Sequence, residues 1–225
     1  VTVEIEVLYR DAHWIGVRKS PGLPTTPHEG HVSLLERVRS FIGETEALHP
    51  LSRLDLEVSG VVLFALNFEA TRRGAVAKAR GAYEREYHAL VSPAPPAEHA
   101  EYRWDIGTNP RNPNLRVAGG GREREPAHSA MRVRERRGEA AWVELVPYTG
   151  RTHQLRVHCA KAGNPILGDR AYRGRSRLTL SDGAVVAAGR VMLHLARVSL
   201  AGDVVIDCPA PLDYLNLWAA LDPAT

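Results

Sequence analysis

Hydrophobic and polar positions change period several times along this chain. Val1 to Leu8 alternates and predicts a half-buried strand. Arg10-Asp11-Ala12-His13 reads as a turn and Trp14-Ile15-Gly16-Val17-Arg18-Lys19 as a second strand, so the pair predicts a hairpin. Ser20-Pro21-Gly22-Leu23-Pro24 breaks the pattern. Val32, Leu34, Leu35, Val38, Phe41 and Ile42 then recur at helical spacing, with Gly43 as the stop. Val61 to Leu66 is an unbroken apolar run behind Ser59-Gly60, the pattern of a strand buried on both faces. Asn67 is placed to cap a helix from Glu69 to Ala79 that Gly81 ends. Tyr83 to Val91 alternates imperfectly as a strand, closed by Pro93, Pro95 and Pro96.

From Glu98 to Glu139 the chain is polar and rich in Pro, Gly and Arg, with strands predicted at Tyr102 to Ile106 and Ala127 to Val133. Gly119-Gly120-Gly121 reads as a mobile tip, and Ala140 to Val146 as another strand. A helix follows from about His153 to Ala162, ended by Gly163. Val191 to Leu200 and Val204 to Ile206 predict a late hairpin, and Leu212 to Leu221 a closing helix. Strands interrupted by isolated helices, without regular βαβ alternation, predict an α+β fold. Its sheet should be mostly antiparallel or mixed, with flanking helices and a central active-site cleft. No clean linker appears, so residues 1–225 are expected to form a single domain.

Composition narrows the class. The 225 residues are 44% hydrophobic and 24% charged, ordinary for a globular protein. No apolar stretch approaches the roughly 18 residues of a membrane span. The acidic, alternating start does not read as a signal peptide. Cys159 and Cys208 are too few for a disulfide framework, which suits a reducing cytosol, so a cytoplasmic protein is expected. A net charge of +3 is mild evidence for an anionic partner. Only Lys19, Lys78 and Lys161 are lysines and the other basic side chains are Arg, whose forks suit phosphate and stack on bases. A GC-rich genome would produce the same bias.

Three stretches carry candidate chemistry. In Leu51-Ser52-Arg53-Leu54-Asp55 the carboxylate of Asp55 stands just before a buried strand, where desolvation and partner charges can act on it. The simpler reading is a loop Asp making a turn or capping bond. In Gly150-Arg151-Thr152-His153-Gln154-Leu155-Arg156-Val157-His158, positive and titratable groups crowd a helix start, a natural seat for phosphate or carboxylate. A solvated basic helix face would look the same. Tyr87 lies on a predicted strand, where it is either core or a flat face for a base with a hydroxyl for proton work. A metal site at His153, His158 and Cys159 is disfavoured because the histidines are not at i, i+4 and no Cys pair supports them. Ser59 and Ser129 lack a nucleophile elbow, and no nucleotide-binding glycine loop exists.

Together these pieces resemble the RluA-type pseudouridine synthases. Lys19-Ser20-Pro21-Gly22 resembles that family's early turn and Arg53-Leu54-Asp55 with Ser59-Gly60 its catalytic motif. Tyr87 with Ala89-Leu90-Val91 resembles its tyrosine strand. Gly150 to His158, with Pro165-Ile166-Leu167-Gly168-Asp169 and Tyr172, resembles its longest motif. The elements occur in family order over most of residues 5 to 206.

The resemblance implies isomerisation of uridine to pseudouridine in structured transfer or ribosomal RNA, with no cofactor and no metal. Asp55 would attack C1′ or assist loss of uracil. Tyr87 would pack on the uracil and serve in a proton transfer. Arg156 would pair with Asp55 and keep it ionised, with Arg151 as the rival for that pairing. Arg53 would stack into the gap left by the flipped nucleotide. Arg151 and His153 would contact the RNA, and Leu155 with the strand of Val61 would form apolar walls. Arg122-Arg124 and Arg132-Arg134-Arg136-Arg137 could track phosphate, although solvated edge charges are the plainer reading. Ser52 stands where the family usually has His, and Leu56-Glu57-Val58 replace a polar run with Thr. These departures motivate an alternative, an RNA-binding or chaperone protein that keeps the fold without turnover. The pattern begins almost at residue 1, so a catalytic domain alone, acting as a monomer without an N-terminal RNA-binding domain, is expected.

Overall fold

A computed structural model of the chain describes residues 5–28, 30–43, 45 and 47–222. The elements in order are β1 (Val7–Arg10), β2 (Trp14–Lys19), α1 (Leu34–Ile42), β3 (His49–Pro50), β4 (Ser59–Ala65), α2 (Phe68–Ala79) and β5 (Tyr83–Val91). There follow β6 (His99–Tyr102), β7 (Ile106–Asn109), β8 (Asn112–Ala118), β9 (Arg122–Glu125), β10 (Ser129–Arg137), β11 (Ala140–Pro147) and α3 (Gln154–Lys161). A short 3-10 turn at Arg170–Tyr172 precedes β12 (Arg177–Thr179), β13 (Val185–Ala187), β14 (Leu193–Leu200), β15 (Val204–Asp207) and α4 (Leu212–Ala220). The fold is α+β with mixed strand pairing. The residues group into two compact units, one of residues 1–85 with 194–209 and one of 86–193 with 210–225.

In the first unit the strand order is β1-β2-β4-β14, with β3 also on β4 and β15 on β14. The hairpin expected at the start is present as β1 and β2, with residues 1–4 outside the described set. Every residue of β4 is buried, as an apolar run flanked on both edges requires. It pairs in parallel with β14, where Ser59 faces His194 and Gly60 faces Leu195. Gly60 has φ +135°, and a Cβ there would lie 2.5 Å from Leu195 N and O, so only glycine permits this approach. Helix α1 begins with a capping box between Ser33 and Glu36. In α2 the Asn67 side chain accepts from Ala70 N, as the sequence predicts.

The second unit holds an antiparallel order β5-β11-β10-β6, a separate β8-β7-β9 sheet and the β12–β13 hairpin. Here the sequence reading needs correction. Tyr102 to Ile106 is not one strand: β6 ends at Tyr102, and β7 begins at Ile106 in another sheet. Trp104, between the two strands, stacks on Tyr102 with ring centroids 5.5 Å apart, so the alternating apolar residues serve different packing. Strands β8 and β9 were not expected. They are polar because only one face is covered, by a cluster of Ile106, Ala118, Ala127, Val157 and Tyr172 that joins the small sheet to α3. Gly119-Gly120-Gly121 packs closely on β7: a Cβ on Gly121 would lie 2.6 Å from Thr108 O, and one on Gly107 2.5 Å from Gly120 O.

Candidate active site

The loop carrying Asp55 is held by its main chain on both sides of the carboxylate. Upstream, buried Thr25 donates its hydroxyl to Leu54 O and accepts from Leu54 N, both at 3.1 Å. Downstream, Leu56 O accepts from Lys19 Nζ at 3.0 Å and from Gly22 N at 2.8 Å. Lys19 is fully buried, and its ammonium also donates to Ser20 O at 3.0 Å. The early Lys-Ser-Pro-Gly turn is therefore one half of a clamp. Val58 N closes a turn onto Asp55 O at 3.1 Å. Leu51, Leu54 and Val58 sink into the core, whereas Arg53, Leu56 and Glu57 face outward and Asp55 is half-buried. The side chain of Leu51 lies where a Cβ on Gly74 of α2 would be 3.1 Å from Leu51 Cγ, so the mid-helix glycine seats the loop.

Ser52, the departure beside Arg53, bonds Tyr83 OH at 2.8 Å. At the loop's other end Ser59 Oγ lies 2.9 Å from His194 Nδ1, and His194 Nε2 donates to Cys208 O at 2.7 Å. With Nε2 carrying the proton, Ser59 O–H is the donor to Nδ1. Both side chains are buried, so this is an anchor for the start of β4 rather than an accessible nucleophile pair.

Tyr87, Arg151, His153, Leu155 and Arg156 all lie in the second unit. Tyr87 is buried on β5 opposite Leu145. The residues from Gln154 to Cys159 of α3 are all buried, so this is not a solvated basic face. Arg156 makes a two-pronged pair with Asp169, Nε to Oδ2 at 2.7 Å and Nη2 to Oδ1 at 2.8 Å, while Asp169 is fully buried. Its guanidinium carbon stands 5.0 Å over the Tyr172 ring. The Tyr172 hydroxyl accepts from Arg116 N at 2.9 Å and shares a hydrogen bond of 2.7 Å with His153 Nδ1. His153 takes a left-handed conformation, φ 57°, at the head of the helix. Thus His153, Tyr172, Arg156 and Asp169 form one cluster. Arg151 turns elsewhere, to Glu125 at 2.6 Å and Pro126 O at 3.0 Å.

Several further residues of the motifs act by positioning, a role that their sequence pattern does not reveal. Buried Gln154 accepts from Thr149 Oγ1 at 2.7 Å and Arg151 N at 3.0 Å, and donates to His128 O at 2.9 Å and Ser129 Oγ at 2.8 Å. All its polar capacity ties the turn before α3 to β10. Asp169 follows Gly168, where a Cβ would overlap Arg190 O at 1.7 Å. His158 bonds Ser129 Oγ at 3.0 Å and Trp104 O at 3.1 Å, and burial lowers its proton affinity. Burial also pushes the Cys159 thiol up to about 12, with the Asp169 charge adding to the shift. His153, His158 and Cys159 therefore do not assemble as ligands, and no group of His, Cys, Asp or Glu among the described residues could hold a metal ion. No helix among them is long and apolar enough to cross a membrane.

Arg132, Arg136 and Arg137 on β10 are paired with Glu144, Glu98 and Glu135, and Arg134 lies against His88, which favours the plainer reading of that run as edge charge.

Comparison with known proteins agrees with this architecture. The family model described as RNA pseudouridylate synthase matches residues 13–161. The dual-specificity RNA pseudouridine synthase RluA of Salmonella typhimurium is 34% identical over 199 residues, covering 86% of this chain and 85% of that protein. An uncharacterized RNA pseudouridine synthase, YhcT of Bacillus subtilis, is 29% identical over 95% of this chain and 71% of its own length. The ribosomal large subunit pseudouridine synthase C of Vibrio cholerae is 29% identical over 92% of this chain and 65% of its own. Among solved structures, human RNA pseudouridylate synthase domain containing 1 shares the fold, with a TM-score of 0.77 and 23% identity over 100% of this chain and 98% of that one. With the ordered motifs and the family match over residues 13–161, the chain belongs to the RNA pseudouridine synthases, isomerases that convert uridine in RNA to pseudouridine.

Proposed function

We propose that Asp55 is the reacting carboxylate and that the substrate is a uridine in a structured loop of transfer or ribosomal RNA. The observation that carries this is the clamp: Thr25 on one side and Lys19 with Gly22 on the other hold the main chain next to a half-buried Asp55. Such support for a single loop side chain is what a reacting group needs to keep its geometry. In the reaction the N1–C1′ bond breaks, uracil turns, C5 bonds to C1′, C5 loses its proton and N1 gains one. Atoms and charge balance without a cofactor. Asp55 acts at C1′, as nucleophile or by assisting departure of uracil.

Tyr87 packs on the base and serves the proton transfer. Arg156, in the place where the family motif has its partner for the reacting carboxylate, keeps that carboxylate ionised, since an Arg charge nearby lowers a carboxyl pKa. His153 and Arg151 contact the RNA and Leu155 walls the uracil. The uridine must leave its stack at a cost of a few kcal/mol, and outward-facing Arg53 fills the gap. The names of the relatives, one of dual specificity and one directed to the ribosomal large subunit, support a structured RNA. Two free, buried cysteines fit a reducing compartment, in keeping with a cytoplasmic enzyme.

The departures from the family pattern do not favour an inactive binder. Ser52 has a partner in Tyr83, and Leu56 contributes through its carbonyl, which any residue supplies. The test is Asp55→Asn on RNA labelled with tritium at uridine C5. The expected result is loss of tritium release and of pseudouridine with unchanged melting; wild-type turnover would overturn the assignment.

A further inference from the structure

Most arginines of the second unit have an acidic partner, but one set does not. Arg103, Arg132, Arg136, Arg137, Arg151 and Arg156 pair with Glu101, Glu144, Glu98, Glu135, Glu125 and Asp169. On the β8-β7-β9 sheet, by contrast, Arg111, Arg122 and Arg124 are exposed and make no ion pair among the described residues. Among the described residues Arg116 donates its guanidinium to the carbonyls of Pro113 and Leu115. Arg116 and Arg122 both stand opposite Thr108, one on each neighbouring strand. They therefore form a cross-strand row with Cα atoms about 10 Å apart, two strand spacings. Arg111 sits in the β7–β8 turn, where its main chain is fixed by Asn109 Oδ1. The Tyr172 hydroxyl holds Arg116 N, and Arg170 and Arg173, both exposed and without an acidic partner among the described residues, flank that tyrosine. Of the carboxylates on β9, Glu125 is taken by Arg151, which leaves Glu123.

We propose that this sheet, with the Tyr172 turn beside it, is a docking surface for the phosphate backbone of RNA. The inference rests on the RNA-modifying reading above and adds to it where the substrate is gripped. Arginine forks bind phosphate bidentately, and desolvating such a set without a counter-anion would be unfavourable. None of the large exposed apolar side chains lies within residues 106–125, so the surface lacks the anchors of a protein interface. The anchoring is rigid: Ile106 of β7 and Ala118 of β8 pack in one cluster with Val157 of α3 and Tyr172.

The test is direct binding of the whole protein to total transfer RNA across a salt series. The variants are Arg111→Gln/Arg122→Gln/Arg124→Gln and a control, Arg132→Gln/Arg136→Gln/Arg197→Gln, which removes the same charge from acid-paired arginines. The sheet variant should lose about 2 from the slope of log affinity against log salt, and bind on the order of tenfold or more weaker near ~0.1 M salt, at roughly 0.7–0.9 per phosphate contact. The control should keep nearly the wild-type slope. Glu123→Gln should bind a few-fold tighter, a gain that misfolding cannot produce. Equal slopes for the sheet variant and its control would overturn the inference, as would unchanged affinity in Glu123→Gln. A sheet variant that keeps its slope on RNA but loses binding to polyglutamate would assign the surface to an acidic protein instead. Because binding is read without turnover, a protein that grips RNA through this sheet yet forms no pseudouridine would sink the catalytic reading and leave this one standing.

Discussion

Replacing Thr25 by Val tests whether the clamp, rather than Asp55 alone, makes the site. Valine keeps the branched shape, so packing changes little, but it removes the hydroxyl that both donates to and accepts from Leu54. Thr25 is 3% exposed, so water does not replace the hydroxyl without movement. Each buried main-chain group left unsatisfied costs about 1–3 kcal/mol, so two cost about 2–6 kcal/mol if nothing relaxes. For a chain of this size that corresponds to a melting point lower by roughly 5–15 °C. The alternative is that the loop shifts toward water and regains its bonds; stability then recovers, but Asp55 moves, and a displacement of about 1 Å costs on the order of a hundredfold in rate. The two losses are complementary. The assay pairs a melt followed by circular dichroism with tritium release at saturating RNA, well below the melting point. Thr25→Ser, which restores the hydroxyl, should recover most of both. A Thr25→Val protein that melts and turns over like wild type, or a Thr25→Ser protein as impaired as Thr25→Val, would refute the clamp.

Asp169→Asn removes the charge partner of Arg156 in a pair with 9% and 1% side-chain exposure, and should destabilise by about 3–5 kcal/mol and slow turnover; a melting point within a degree or two of wild type would contradict it. Arg53→Ala should weaken RNA affinity at nearly unchanged single-turnover rate, whereas Arg156→Lys should slow chemistry with RNA bound; equal losses of affinity alone would remove the division of roles. Burial holds the proton affinity of His158 below its unfolded value of about 6.5, and His88 is depressed as well, first by burial and then by Arg134. The native state therefore binds fewer protons than the unfolded one. Stability should be full above about pH 6.5 and fall as pH drops through the window down to the lowered folded values. His158→Gln should flatten part of that fall in a melt-versus-pH series, and an unchanged curve would count against the buried neutral imidazole.

Much of the fold is legible in the sequence where one periodicity governs one environment. The buried run of β4, the capped helix α2 and the hairpin of β14 and β15 are such cases. The reading failed between Tyr102 and Glu125, where apolar residues two apart belong to different sheets and the short strands of the second sheet are covered on one face only.

The site divides along a different line. Arg53, Asp55, Tyr87 and Arg156 draw a chemical role from the ordered motifs, whereas Lys19 and Gln154 lie in those motifs without one and Thr25 lies outside them, although each is buried and each fixes a loop. Their partners are Leu56 O, Leu54 N and O, and His128 O with Arg151 N. A carboxylate and a guanidinium can be matched from sequence because each restricts the residue type of the other. A side chain that bonds the main chain restricts nothing at the far end, since every residue offers the same carbonyl and all but proline the same N–H. This also explains how the loop accommodates Ser52 and Leu56. What the clamp holds at position 56 is a carbonyl, so the side chain there can differ from the family pattern while Asp55 keeps its support.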